Sequence, residues 1–450
     1  MNKLIAILWM LIVLISLNAF AQDTSDVAKK EDIEEVKSSL ESVNETITDL
    51  KNTLDALKKI KISGYIQAQF QSADTAGIIS YAGGNFPANV KSRFQVRRGR
   101  VKFMYDQDIT QYVLQIDITQ SGVAIKDAYA MIKEPWLRIF SLTGGVFDRP
   151  FGFEISYSSS MRESPERSRL FQTLFPGERE LGVKIEATPE RGVLSYFNLK
   201  VGLFNGVLPN ANENDRNKDF IGRIGFLLPF REENLEIDGG FSLYAGKVTN
   251  ISKYFYEFDN SSPVKKFKAD SSATNLGKSY SRNYYGFDMQ LYYDLPRLRG
   301  LPIIGGLSIK GEFITGQQPA TATYNSFYFP TSSDPKLSLY SRNFNGWYIN
   351  YIQNIGLYHQ FILKYDVFDP NTDVKGSDIG IPGSNITTAD IKYSTLGVGW
   401  VYHWDANVKF TLYYDIVKNE QVNTAATHSL ANFTRDLKDN VLTMRMQYRF

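Results

Sequence analysis

Residues 442–450, Leu-Thr-Met-Arg-Met-Gln-Tyr-Arg-Phe, alternate strictly between apolar and polar side chains. A period of two is that of a β-strand, in which successive side chains point to opposite faces. An arginine on a lipid-facing strand surface costs roughly 2–4 kcal/mol at mid-bilayer, so Arg445 must point away from any lipid. The stretch therefore predicts a strand with a lipid-facing apolar side and a water-facing polar side.

The same alternation recurs upstream through segments of about ten residues, which is typical of a transmembrane β-barrel. We predict sixteen strands near residues 62–71, 93–105, 111–119, 125–134, 137–147, 181–188, 193–204, 220–228, 235–247, 282–294, 305–315, 346–354, 357–368, 390–403, 407–418 and 440–450. Most joins between them alternate between short turns and long polar loops. A soluble sandwich also has alternating strands, but the alternating loop lengths and the aromatic apolar face favour a closed antiparallel barrel over residues 61–450.

The first residues indicate export. Residues 1–21 read as a signal peptide, with Lys3 before an apolar run and Ala19-Phe20-Ala21 as a cleavage site. The alternative is a retained N-terminal membrane anchor. An exported barrel points to the outer membrane of a Gram-negative bacterium, with lipid as its surroundings.

A heptad pattern follows the predicted cleavage site. The apolar residues are spaced alternately by three and four positions and are Ile33, Val36, Leu40, Val43, Ile47, Leu50, Leu54 and Leu57. This narrow seam predicts a short coiled coil within residues 22–60, which we place in the periplasm. The mixture of Ile, Val and Leu in the seam does not select a dimer, so a trimeric coiled coil is compatible with the pattern. The alternative is a lone helix that acts as a spacer.

The composition excludes several classes of protein. The chain has 450 residues, no cysteine, 14% aromatic residues and a formal net charge of +2. The absence of cysteine rules out a disulfide framework and a cysteine-based zinc site, and the near-neutral charge gives no support for nucleic-acid binding. The three histidines form no catalytic grouping with Ser or Asp, so we expect no enzymatic activity and no metal or cofactor.

One predicted strand, residues 93–105, is unusually basic. Its apolar parity switches near Arg97–Gly99, so we predict a β-bulge at Gly99 that turns both Arg97 and Arg98 inward. Sixteen strands leave an aqueous lumen, in which inward cations attract anions. The predicted pore-lining cations are Arg97, Arg98, Arg100, Lys102, Lys126, Lys184 and Arg223. Any one of them could instead brace the wall through an ion pair.

The segment 148–180 is the candidate constriction loop. It carries the basic residues Arg149, Arg162, Arg167, Arg169 and Arg179 together with six acidic residues. These charges could set up a field across the pore, or could pair with each other and hold the loop closed.

Several motifs resemble those of the phosphate- and polyphosphate-selective porins of the O and P type. The resemblance runs from residues 62–67 (ISGYIQ) to Phe450 and is most specific at residues 144–152 (GGVFDRPFG), 166–168 (ERS) and 177–182 (GERELG). The blocks at 97–100 (RRGR), 126–129 (KDAY) and 204–206 (FNG) are also similar. The resemblance implies a sixteen-stranded, trimeric porin whose pore-lining arginines would be Arg97 and Arg98.

The expected function is passive diffusion of small hydrophilic solutes, with a preference for anions such as phosphate. The alternatives are a non-selective general porin and a barrel that anchors a structural tether formed by the coiled coil.

Overall fold

The computed structural model describes residues 30–261, 263–295, 304–330, 337–425 and 428–450, and the predicted signal peptide lies outside them. The chain divides into two compact units at the junction of Lys59 and Ile60. Each unit is described by itself below.

The first unit contains one helix, α1 (Lys30–Lys58). The seam residues from Val36 to Leu54 lie on its surface, as Val36 is 68% exposed and Leu54 is 56% exposed. Among the described helices, none combines the length and apolar character that a membrane-crossing helix requires.

The second unit is built on a β-sheet that closes on itself. Its strands are β1 (Ile60–Ala73), β2 (Ser92–Gln107), β3 (Thr110–Thr119), β4 (Gly122–Lys133), β5 (Phe140–Asp148), β6 (Arg179–Ala187), β7 (Phe197–Phe204), β8 (Asp219–Phe230), β9 (Leu235–Thr249), β10 (Phe255–Asp259), β11 (Lys266–Asp270), β12 (Ser279–Tyr293), β13 (Ile304–Ala320), β14 (Leu339–Ile355), β15 (His359–Asp369), β16 (Tyr393–His403), β17 (Val408–Asn419) and β18 (Val441–Arg449). Each barrel strand pairs antiparallel with its neighbours, and β1 pairs with both β2 and β18, which closes the ring. Within the described ranges the ring has sixteen strands, as predicted, because β10 and β11 form an extra hairpin in the connection between β9 and β12, and β10 pairs in parallel with the start of β14.

The differences from the predicted boundaries are local. The hairpin β10–β11 lies in residues 248–281, a segment predicted to be a long polar loop between two barrel strands. Strand β7 begins at Phe197 rather than near residue 193, because Val193–Tyr196 form a 3-10 turn.

The predicted orientation of the side chains is confirmed on the last strand. Met444 and Met446 are 48% and 45% exposed on the outside, whereas Arg445 between them is 5% exposed and lies in the interior. The outside of the barrel is therefore an apolar surface of the kind that faces lipid.

The bulge in β2 is displaced from its predicted position. Gln67 pairs with Arg98 and Ala68 with Val96, so the extra residue is Arg97 and not Gly99. Gly99 has a different role, because a side chain there would collide with the carbonyl oxygen of Ile118 on β3. Arg97 and Arg98 both point inward, as predicted.

The segment between β5 and β6, residues 149–178, folds into the barrel and contains a short helix, α2 (Arg169–Leu174). Its apolar side chains pack on aromatic residues of the inner wall. This buried cluster joins Phe151, Ile155, Leu170, Phe171, Leu174 and Phe175 of the loop to wall residues such as Tyr244, Tyr284, Phe344 and Tyr348. The sequence analysis does not predict this apolar core inside the lumen. Together with the loop, the core fills part of the barrel interior.

Candidate functional site

The inward-folded loop is anchored first by Glu312 of β13. The backbone N–H groups of Phe153 and Glu154 donate to its two carboxylate oxygens at 2.9 and 2.5 Å, and the Tyr348 hydroxyl donates at 2.6 Å. Gly152 has φ +61°, and a side chain at that position would meet the same carboxylate. A glycine is therefore needed where the loop turns against the wall.

Glu166 connects the loop to the basic strand. Its Oε1 lies 2.9 Å from Arg97 Nε and 2.8 Å from Arg445 Nη2, and its Oε2 lies 2.7 Å from Arg98 Nη2. Burial alone would raise the pKa of the Glu166 carboxyl, but the three guanidinium groups hold that pKa well below its usual value. The carboxylate thus stays charged and shares its charge among three cations.

Three lysines of the wall hold the same loop. Lys364 Nζ lies 2.6 Å from Glu154 Oε1, and Lys310 Nζ lies 2.9 Å from Glu163 Oε1. Lys409 Nζ donates to the carbonyl oxygens of Ser160 and Arg162 at 2.9 and 3.0 Å. Each contact uses an inward position of a barrel strand, so the loop is fastened on several sides.

Glu178 forms a second charged centre at the end of the loop. It pairs with Lys126 of β4 and with Arg167, and lies 3.3 Å from Arg179 Nη1. Burial opposes the charged form, but these cations keep the pKa of Glu178 well below its usual value. Arg179 also pairs with Asp127 at 2.9 Å.

Other predicted site residues lie in structural contacts. Arg149 is fully buried, paired with Glu180 at 2.6 Å, and Arg162 is buried with its guanidinium on the carbonyl oxygens of Ser164 and Pro165. Because both guanidinium groups are buried, they stabilise the conformation of the loop and do not line an open path.

The remaining predicted cations lie on the inner wall. Arg100 pairs with Asp117 at 3.0 Å, Lys184 with Glu186 at 3.0 Å, and Arg223 with Asp288 at 2.6 Å. Lys102 is half-buried, two residues beyond Arg100 on the same strand. The structure therefore brings Arg97, Arg98, Arg100, Lys126 and Arg167 together, and leaves Lys184 and Arg223 elsewhere on the wall.

A cavity of about 320 Å³ opens between this basic group and the loop. Its charged lining consists of Arg97, Arg98, Arg100, Lys126 and Arg167 with Asp117, Glu166 and Glu178. Arg97 has the side chain most open to water, 29% exposed against 5% for Arg98. Cations outnumber carboxylates here.

A second, narrower space of about 30 Å³ is lined by four carboxylates and three cations. Asp366, Asp415 and Asp439 line it, and none of them forms an ion pair with a described residue. Sequence reasoning did not select these residues for function, although Asp366 and Asp415 stand at the inward positions of alternating strands. Their position on the inward-facing side of each strand was the one feature of the sequence that could have identified them.

Arg169 differs from the other loop arginines. Its guanidinium carbon lies 4.3 Å from the ring centre of Tyr81 and 3.8 Å from that of Tyr393, so it is held between two aromatic rings. Its Nε is buried without a hydrogen-bond partner among the described residues. Cation–π contacts hold this side chain, whereas Arg149, Arg167 and Arg179 pair with carboxylates.

Comparisons with known proteins agree on the architecture. No protein-family model and no curated protein matches this chain. Among solved structures, OprB of Pseudomonas putida is 10% identical with a TM-score of 0.55, covering 88% of this chain and 96% of that one. An anion-selective porin from Comamonas acidovorans is 10% identical with a TM-score of 0.51, covering 87% and 99%. At this identity the similarity concerns the fold, and the chain has the fold of the bacterial outer-membrane porins.

Proposed function

We propose that this protein is an outer-membrane porin for the passive diffusion of small hydrophilic solutes and that it prefers anions, phosphate and polyphosphate included. The observation that carries the proposal is the 320 Å³ cavity beside the loop, in which five basic side chains meet three carboxylates. The excess positive charge attracts anions in a confined aqueous path.

The basic side chains of the cavity can attract anions even though they are partly paired with carboxylates. The Debye length in physiological salt is about 8 Å, which is comparable to the width of a narrow pore, so screening there is incomplete. Glu166 is shared by Arg97, Arg98 and Arg445, which leaves a surplus of positive charge around one carboxylate. Arg97, the most water-exposed of the three, is the first contact we assign to a permeating anion.

The test is the reversal potential of the purified protein in planar bilayers under a KCl gradient, repeated with phosphate competing against chloride. Anion preference in the wild type is expected, and it should fall in the Arg97→Ala plus Arg98→Ala variant. Arg138→Ala is the matched control, since Arg138 is an exposed arginine paired with Asp108. Cation preference in the wild type refutes the proposal, whereas equal permeability supports a non-selective porin.

The coiled coil supports a homotrimer. The seam of α1 exposes apolar residues from Val36 to Leu54 in the single chain, and association with copies of itself would cover them. Deleting residues 22–60 tests whether this segment assembles the protein or tethers the envelope. Loss of trimers or of envelope attachment with unchanged conductance per barrel would assign the two units separate roles.

A further inference from the structure

A wide vestibule lies among the loops at one end of the barrel. Its volume is about 780 Å³, within the range of small-molecule binding pockets, which is about 300–1,000 Å³. Apolar and aromatic side chains line it, namely Ile79, Tyr81, Tyr324, Tyr393 and Phe433. Tyr324 is 58% exposed, so a ring face is open to a ligand.

Two charged side chains lie where the vestibule meets the narrow space described above. Arg169 and Asp439 line both cavities. Arg169 is held between Tyr81 and Tyr393, and its Nε has no hydrogen-bond partner among the residues that the structure describes, although its charge interacts with the carboxylate of Asp439. Asp439 is 7% exposed, and its Oδ1 is buried without a partner. The Nε of Arg169 and the Oδ1 of Asp439, each without a described hydrogen-bond partner, therefore belong to side chains that line the same space.

A hydroxyl group suits this pair of side chains. It both donates and accepts hydrogen bonds, so neighbouring hydroxyls on one solute can serve Asp439 and Arg169 together. A hydrogen bond to a charged group is stronger than one between neutral groups.

The rest of the polar lining combines neutral groups with three further charged side chains, Arg435, Asp436 and Lys438. It includes the amides and hydroxyls of Asn85, Asn325, Asn432, Thr323, Ser326 and Thr388. Such groups suit a neutral solute with many hydroxyls, while the open face of Tyr324 offers a platform for the C–H side of a sugar ring.

Other solute classes fit less well. The charged lining is of mixed sign, with Arg169, Arg435 and Lys438 beside Asp436 and Asp439, so an inorganic anion or cation would meet charges of both signs. A small zwitterion could satisfy both charges, but it would leave the amides, the hydroxyls and Tyr324 unused in a space of about 780 Å³.

We propose that this vestibule binds neutral polyhydroxylated solutes of oligosaccharide size, through Arg169, Asp439 and the aromatic face of Tyr324, before they enter the lumen. This role is independent of the anion preference proposed above. It assigns the loops a binding task that passive diffusion alone does not require.

The experiment is block of the ion current through the full-length protein in planar bilayers by maltotriose, added separately to each side. We expect reversible block from the side that carries the vestibule. Tyr324→Ala should raise the half-blocking concentration about three- to tenfold, as expected for loss of an aromatic contact of about 0.5–1.5 kcal/mol. Arg169→Gln should raise it as well, and Tyr254→Ala is the matched control because Tyr254 is an exposed loop tyrosine outside the vestibule.

Three results would overturn the inference: no block of the wild type by maltotriose, block that is unchanged in both Tyr324→Ala and Arg169→Gln, or block by glycylglycine with none by maltotriose. Because Tyr324 is exposed, its truncation leaves the fold intact. The KCl reversal potential, measured without sugar on the same channels, tests the anion preference separately, so the two proposals can fail independently.

Discussion

Glu166 Oε1 lies 2.8 Å from Nη2 of Arg445, a residue 279 positions further along the chain. Arg445 stands on the strand that closes the barrel against β1. The contact therefore fastens the inward-folded loop to the wall at the barrel's closure, beside Arg97 and Arg98.

Glu166→Gln should loosen the loop and leave the buried Arg98 and Arg445 and the partly exposed Arg97 without their shared counter-charge. Breaking a buried ion pair by removing one partner costs about 3–5 kcal/mol, so we expect lower thermal stability, higher single-channel conductance and stronger anion preference. Bilayer recordings and thermal unfolding followed by circular dichroism measure these quantities. Glu213→Gln is the control, since Glu213 pairs with Lys218 near the surface; equal behaviour of the two variants would argue against a role for Glu166 in holding the loop.

Phe175→Ala should disturb the apolar core inside the lumen. The Phe175 ring lies 5.6 Å from that of Tyr284 and 6.1 Å from that of Tyr244, and a buried Phe→Ala change typically costs about 3–5 kcal/mol. We expect a mobile loop, seen as noisier current and faster proteolysis within residues 149–178. Phe241→Ala, on the outer face, should leave current noise as in the wild type. Wild-type current noise in Phe175→Ala would contradict the role assigned to the packing of Phe175 against the inner wall.

The selectivity should depend on pH through Asp439. Burial raises the pKa of its carboxyl to about 6, although Arg169 opposes the shift. The group is charged above this pH and neutral below it, so anion preference should increase as the pH falls from 8 to 5. In Asp439→Asn the preference at pH 8 should already approach the wild-type value at pH 5. A pH response of equal size in the variant would assign the effect to other groups, the histidines among them.

Charges in the seam of α1 should prevent its association. Ile47→Asp plus Leu50→Asp places carboxylates at two exposed seam positions, and burying them between copies would be unfavourable. We expect loss of oligomers in cross-linking and analytical ultracentrifugation, with the conductance of each barrel unchanged. Asn52→Asp, outside the seam, should assemble normally. Oligomers that survive the double substitution would show that the barrel alone holds the subunits together.

The sequence by itself determined the barrel and the direction of its side chains, because the period of two and the cost of placing Arg445 in lipid are local properties of each strand. It also indicated the inward turn of Arg97 and Arg98, although the bulge lies at Arg97. Which cation meets which carboxylate was decided by tertiary structure: Glu166 reaches Arg97, Arg98 and Arg445 only after the loop has crossed the lumen. The apolar core around Phe175 and the clamp of Tyr81 and Tyr393 on Arg169 likewise depend on contacts between segments far apart in the chain, which no local pattern encodes.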